Sequence, residues 1–307
     1  MSRIYEALQR ADREREAAPL AEVGRVGRPA SLPEIDEPPS MKPDVSFELI
    51  AQHSWRPSVP AFPALADRGA GVEQFRSLRS RVYQARYEAP LKTILVSSGV
   101  PSEGKSFVAA NLAVSLARNG INNILLIDGD LRRPTLHDLL GAPNTPGLSE
   151  YLTGVAELNA IMQRERSPKS VATAGAAGLS NLTFIPAGKC GDNSSELVAH
   201  PRVEELITTV APLFDWIVID SPPVLAVTDA VELAHSADAV LLVARGASTP
   251  YDVAQRTKTT FANARILGFV LNDVKDAPRR GSYYNYYYGA PESNGQHKGR
   301  KGGRRQT

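Results

Sequence analysis

A single cysteine, Cys190, is all that 307 residues carry. One thiol cannot close an internal disulfide, so no covalent framework holds the fold, and a reducing cytoplasm suits the chain best. Long hydrophobic runs are missing too. No apolar stretch approaches the ~20 residues of a membrane span, so membrane contact is expected only through a partner. No secretory leader is expected, because Met-Ser-Arg-Ile-Tyr-Glu-Ala-Leu is amphipathic and charged from its start. Neither sign of charge dominates, and the formal net charge of +2 points to no particular class of partner. The distribution is less even. From Arg279 to the end, seven Lys/Arg face one acidic residue, so the tail is near +6 and the rest near −4.

What is present suits one sizeable globular domain with extensions, since 42% of the residues are hydrophobic. Ile4, Leu8 and Ala11 recur at helical spacing, so residues 1–17 read as a short amphipathic helix, either a frayed solvated one or a docking element. Residues 18–68 are rich in Pro and Ala without periodicity and read as a disordered linker. A folded domain is expected over 69–275. It opens on a helix carrying Val72, Phe75, Leu78, Val82 and Tyr83. Strands then alternate with helices: Thr93–Val96, Asn123–Ile127, Leu182–Ile185, Phe214–Ile219, Ala239–Val243 and Ile266–Leu271 are short and nearly all apolar. Ser194 starts a helix with the look of a cap. Residues 172–178 read as a mobile loop, and 276–307 as a flexible basic tail. Apolar strands alternating with helices imply a doubly wound α/β fold, its mostly parallel sheet covered on both faces.

The chemistry starts at Leu95–Ser106. An apolar strand runs into Gly99, four further residues, Gly104-Lys105-Ser106 and a helical stretch from Phe107. Glycines let backbone N–H groups turn toward phosphate oxygens, and the helix N-terminus adds partial positive charge. The lysine reaches the terminal phosphates and the serine hydroxyl can ligate Mg²⁺. A merely structural Gly-rich turn has no use for Lys105. Candidate nucleotide contacts are therefore Gly99, Pro101, Ser102, Glu103, Gly104, Lys105, Ser106 and Phe107. ATP and Mg²⁺ are the expected cofactors.

Two further strands end in carboxylates, at Asp128-Gly-Asp130-Leu-Arg132-Arg133-Pro134 and at Asp220-Ser-Pro-Pro. In an open parallel sheet these ends share the ligand crevice. Phosphoryl transfer needs a carboxylate behind the metal and a group that orients or deprotonates the acceptor. Asp220 suits the metal. Asp128 and Asp130 are placed to share metal binding and acceptor activation, and spacing does not divide those roles. Arg132 and Arg133 can each neutralise transition-state charge or pair with surface carboxylates. Asn272 ends the last strand, either as a turn former or as a hydrogen-bonding partner of adenine. Tyr283, Tyr284, Tyr286, Tyr287 and Tyr288 put five tyrosines into six residues. Their linker-like flanks argue against an edge strand, and phosphorylation at all five would add roughly 7–10 negative charges. The eleven residues from Asn272 to Tyr283 span at most ~36–40 Å extended, or about 17–20 Å as a coil.

This order of phosphate loop, Asp-Gly-Asp-Leu-Arg-Arg-Pro, Asp-Ser-Pro-Pro and terminal tyrosines resembles the bacterial tyrosine kinases (BY-kinases), P-loop proteins of MinD/ParA-like fold. The resemblance covers about residues 70–290. It implies an ATP-dependent autokinase governing exopolysaccharide synthesis and export. Lys105 and Ser106 would lie in Walker A, Asp128 and Asp130 in Walker A′ and Asp220 in Walker B, with the tyrosine cluster phosphorylated mostly between subunits. The family's helix motif, Glu-x-x-Arg-x-x-Arg then Thr-Asn, is linked to ring-shaped homo-oligomers. Here it reads Glu73, Arg76 and Arg79 followed by Ser80-Arg81, a departure that leaves the oligomer open. The loop has Pro-Ser-Glu-Gly where Pro-Gly-Glu-Gly is more usual. The chain looks like the split form: a cytoplasmic kinase peripheral to the inner membrane, activated by a membrane polysaccharide co-polymerase and opposed by a protein-tyrosine phosphatase. Its first eleven residues also resemble the exosortase-associated subgroup.

Two other readings compete. A partition or cell-division ATPase shares the fold, but usually carries a second lysine early in the loop, where this chain has Val100 and Pro101. A non-catalytic nucleotide-binding scaffold for polysaccharide assembly is disfavoured by Lys105, Asp128, Asp130 and Asp220. No nucleic-acid partner is expected, because a basic tail without a folded reading element is ordinarily a solvated tail.

Overall fold

The computed structural model describes residues 47–118, 120–166, 179–189, 191 and 194–274. The expected N-terminal helix, the first part of the expected linker, the 172–178 loop, Cys190 and the tyrosine-bearing tail lie outside the described residues.

The described residues form one eight-stranded sheet in the order β1-β4-β5-β3-β6-β2-β7-β8. Its strands are β1 (Ala51–His53), β2 (Thr93–Ser98), β3 (Ile124–Asp128), β4 (Gln163–Glu165), β5 (Leu182–Ile185), β6 (Trp216–Asp220), β7 (Ala239–Arg245) and β8 (Ile266–Asn272). Every pairing is parallel except β4 with β5. The inner strands are apolar throughout because both faces are covered. Ile94 and Val96 of β2 join one core, while Leu95 joins the other. On β3, Ile124 and Leu126 separate from Leu125 and Ile127 in the same way.

The first core lies under α1 (Ala70–Glu88) and α2 (Lys105–Ala117). The second lies under α4 (Leu148–Leu152), α7 (Arg202–Val210) and α8 (Asp229–His235). Helix α2 is buried without a break from Val108 to Ala117, between the sheet and α1. Such a helix is apolar nearly all round, its buried Asn111 and Ser115 being hydrogen-bonded, and its alanines let the layers approach. The remaining helices are α3 (Leu136–Leu140), α5 (Leu158–Ile161), α6 (Ser194–Val198) and α9 (Tyr251–Thr260). At the start of α6 the Ser194 hydroxyl donates to the carbonyls of Gly191 and Leu131, so it ties the helix to the loop after β3.

Residues 47–68 correct the expected linker, and the ordered domain begins well before Gly69. The segment adds β1 to the sheet edge and buries Trp55, Phe62, Ala64 and Leu65. Polar groups hold it as firmly as apolar ones. Asn111, fully buried in α2, accepts from the Ala64 amide at 3.1 Å and donates to the Ala61 carbonyl at 2.8 Å. Arg118 donates to the carbonyls of Ala64 and Ala66 at 2.7 and 2.6 Å. The Trp55 indole donates to Gln163 at 3.3 Å and packs edge-on against Phe184. Low periodicity and many prolines hid this segment, because its order comes from partners more than 40 residues away in sequence. Strands β1 and β4 were hidden likewise: Ala-Gln-His and Gln-Arg-Glu are short and polar, and pairing alone makes them strands.

Phe62 is 1% exposed in the first core. Phe62→Ala is expected to lower unfolding stability by about 3–5 kcal/mol, measured by denaturant titration. A change under about 0.5 kcal/mol, typical of a solvated position, would mean the segment is a linker after all.

Candidate functional site

The register of the central strands brings the site together. Asp128 pairs with Asp220 across β3 and β6, and Asp220 with Val96 across β6 and β2. Both carboxylates thus end their strands on the same level as the strand that feeds the phosphate loop. Gly129 holds the close approach. Its amide donates to the Asp220 carbonyl at 2.9 Å, and a Cβ there would lie 2.6 Å from that same oxygen.

The loop closes on Gly104, whose φ of 92° lies in the left-handed region that glycine adopts without a Cβ penalty. A side chain there would also strike the Asn272 amide nitrogen. Asn272 donates from that nitrogen to the Glu103 carbonyl at 3.0 Å, so its amide braces the loop from the end of β8. Glu103 is buried and accepts from the Val100 amide at 2.9 Å and from the Thr249 hydroxyl. Thr249 was missed in the sequence, since one hydroxyl before α9 carries no signal of a partner 146 residues away. Ser102 stands in the left-handed region at φ 66°, where the glycine of the usual motif would be unstrained.

Lys105 lies at the centre. Its ammonium is 2.9 Å from Asp130, 3.8 Å from Asp220 and 3.2 Å from the Ser106 hydroxyl. Burial alone would lower its pKa, but Asp220 and Asp130 outweigh burial and hold it above the ordinary value. Asp128 and Asp130 have different surroundings. Asp128 is fully buried and accepts backbone N–H groups from Asp130, Thr135 and Leu136 at 3.1–3.2 Å. It therefore secures the loop after β3 and the first turn of α3. Burial and then repulsion from Asp220 push its carboxyl well above the usual range. Asp130 meets Lys105 with one oxygen and the Arg133 amide with the other.

Asp220 is fully buried, and neither of its oxygens meets a donor at hydrogen-bond geometry. Burial pushes its carboxyl up to about 6, against the pull of Lys105 and the nearby Ser106 hydroxyl. An orphaned buried carboxylate beside a hydroxyl is a fitting seat for a hard cation such as Mg²⁺. Among the described residues no group of three His, Cys, Asp or Glu side chains could hold a metal. The remaining ligands must come with the metal, as nucleotide phosphates and water do.

Other expected site residues lie apart. Arg132 is paired to Asp229 at 2.9 Å and bonded to Ser195, so its charge is engaged within the fold. Arg133 is exposed beside the site. The Phe107 ring packs edge-on against Phe75 of α1, and Pro101 is exposed. Glu73, Arg76 and Arg79 lie on α1. Arg76 pairs with Glu73 at 2.6 Å, while Arg79 turns inward to the Ser115 carbonyl at 2.7 Å.

No protein-family model matches the chain. Tyrosine-protein kinase YwqD of Bacillus subtilis is 32% identical over 217 residues, covering 70% of this chain and 85% of that one. Tyrosine-protein kinase ptk of Acinetobacter johnsonii is 32% identical over 220 residues, or 71% of this chain, which spans only 28% of ptk. Among solved structures, the kinase domain of Escherichia coli tyrosine kinase ETK matches with a TM-score of 0.64 and 30% identity. That match covers 78% of this chain and 89% of the solved one.

Two stability outcomes follow. Ser102→Gly removes a left-handed side chain from an exposed turn and is expected to stabilise by about 1 kcal/mol in chemical unfolding; equal or lower stability would mean the turn is not strained. Asp220 has a folded pKa of about 6 against an ordinary 3.8, so the folded state takes up a proton between those values. Its ionisation therefore costs stability in full above pH 6, and the cost vanishes below about pH 4. Asp220→Asn should raise the melting temperature of nucleotide-free protein by several degrees near pH 8, with the gain shrinking as pH falls toward about 4.5. A gain that does not change with pH would contradict this account.

Proposed function

The chain belongs to the bacterial tyrosine kinases, and on that footing we propose that it is an ATP-dependent protein-tyrosine autokinase. Its substrate is its own cluster Tyr283, Tyr284, Tyr286, Tyr287 and Tyr288. Phosphorylation of that cluster regulates exopolysaccharide synthesis or export. The observation that carries the reading is the convergence of Lys105, Asp130 and a buried Asp220 that lacks a hydrogen-bond donor, beside the left-handed Gly104. That arrangement suits the handling of a terminal phosphoryl group rather than a structural turn.

In this reading backbone N–H groups of Gly99–Ser106 hold the phosphates, with the start of α2 adding positive potential. Ser106 and Asp220 would hold Mg²⁺, and Asp128 keeps the neighbouring loop in place behind them. When bound, the metal would neutralise phosphate charge. Lys105 exchanges Asp130 for phosphate oxygens, so its ion pair opens as nucleotide binds. The released Asp130 carboxylate then faces the acceptor. A tyrosine hydroxyl attacks the γ-phosphorus, the bond to the β-phosphate oxygen breaks, ADP leaves and the phenolic proton passes to the carboxylate. Arg133 is the cation proposed for developing charge, since Arg132 is paired with Asp229. Asn272 serves by bracing Glu103 and Gly104. Homo-oligomers assembled through Glu73, Arg76 and Arg79 bring a neighbour's tail into the site. No helix among the described residues is long and apolar enough to cross a membrane. A membrane polysaccharide co-polymerase is the proposed activator and anchor, and a protein-tyrosine phosphatase reverses the reaction.

The test is intact mass and phosphotyrosine detection after incubation with ATP and Mg²⁺, in the presence of the co-polymerase's cytoplasmic segment. Wild type should gain phosphate. Lys105→Met should lose at least about a hundredfold in rate, and a variant with all five tail tyrosines changed to Phe should gain none. ATP hydrolysis without added mass would instead identify a switch-type ATPase, and neither activity would leave a nucleotide-binding scaffold.

A further inference from the structure

A second basic site lies away from the nucleotide crevice. Ser115 is ten residues along α2 from Lys105, about 15 Å on a helix. At that end a cavity of about 230 Å³ is lined by Ala64, Val72, Arg76, Arg79, Ser115 and Arg118. Three arginines thus line one hollow between α1, α2 and the ordered segment before α1.

Two of the arginines are fixed by backbone carbonyls. Arg79 donates to Ser115 at 2.7 Å, and Arg118 to Ala64 and Ala66 at 2.7 and 2.6 Å. Carbonyl bonds orient a guanidinium without neutralising it, and each leaves further N–H donors of the five unused. Carboxylates answer only part of the charge. Glu73 pairs with Arg76 at 2.6 Å, and Asp67 stands 3.6 Å from Arg118 with its side chain 72% exposed. Arg79 has no carboxylate among its described ion pairs. Burial lowers its pKa, and the charges of Arg76 and Arg118 lower it further, as expected for like charges facing one cavity.

We infer that this cavity is a binding site for a phosphate-type oxyanion, held by the guanidinium groups of Arg76, Arg79 and Arg118. The chemistry is that of forked donors meeting a tetrahedral dianion, for which prepositioned arginines are the favoured residues. The hollow is too polar for an apolar side chain and too cationic for a metal. Both free phosphate and the phosphate ester of a tyrosine carry the required group. The inference rests on the arginine cavity alone and stands whether or not the chain transfers phosphate.

Full-length protein is saturated with Mg²⁺ and a non-hydrolysable ATP analogue, so that the phosphate loop is filled. Binding of inorganic phosphate and of phosphotyrosine is then measured by calorimetry in wild type, Arg76→Gln and Arg79→Lys. Arg76 is exposed, so its variant should fold normally, and a thermal melt checks this. Arg79→Lys keeps the charge but loses the fork. Saturable binding that weakens roughly tenfold or more in both variants supports the site. Phosphotyrosine binding well ahead of phosphate would then identify a modified chain as the source, and equal affinities a free oxyanion. Absence of saturable binding for both probes, or binding unchanged in both variants, overturns the inference.

Discussion

A lysine held among carboxylates at the ends of buried strands is the constraint on which the rest of the molecule turns. Charges out of water are costly unless opposed at short range. Lys105 has Asp130 at 2.9 Å and Asp220 at 3.8 Å, so the ammonium is well compensated. The carboxylates are not. Asp220 has no hydrogen-bond donor among the described residues and only Lys105 at 3.8 Å, and Asp128 relies on backbone donors. Without nucleotide the site therefore holds an excess of buried negative character, which a divalent cation relieves. Stability and readiness for the ligand are opposed at these positions, as is common where function sets the residues.

The surrounding structure keeps those groups from relaxing. Parallel register places Asp128 and Asp220 side by side, and Gly129 lets the two strand ends close. The loop itself is braced from the opposite side of the sheet, where Asn272 reaches Glu103 and Gly104 and where Thr249 reaches the Glu103 carboxylate. The last described strand thus ends in contact with the phosphate loop. A tail leaving from that strand starts beside the site where its tyrosines are proposed to react. The arginine cavity at the far end of α2 belongs to a different surface, built between α1 and the segment before it.

Much of this was legible in residues alone. The loop spacing, the apolar strands ending in Asp and the alternation of strand and helix depend on local pattern, and local pattern survives in a sequence. The order of residues 47–68 did not show, because Asn111, Arg118 and Gln163 supply its partners from distant positions. Thr249 was hidden for the same reason. For Asn272 the sequence offers a turn or an adenine contact, and its bond to the Glu103 carbonyl is a third arrangement that no spacing rule suggests. The two arginines after Asp130 looked alike in sequence; only Asp229 and Ser195 tell Arg132 from Arg133.

The sequence by itself determined the fold class and the chemical vocabulary of the site. Strand apolarity requires a sheet covered on both faces, and a Gly-rich turn ending in Lys-Ser before a helix is the pattern expected of a phosphate seat. The tertiary structure alone decided how the roles divide. Asp128 holds backbone, Asp130 meets the lysine, and Asp220 is left without a hydrogen-bond donor, because strand register and burial set which oxygens find donors. Residue type fixes what a side chain can bind, but only packing fixes which partners remain within reach.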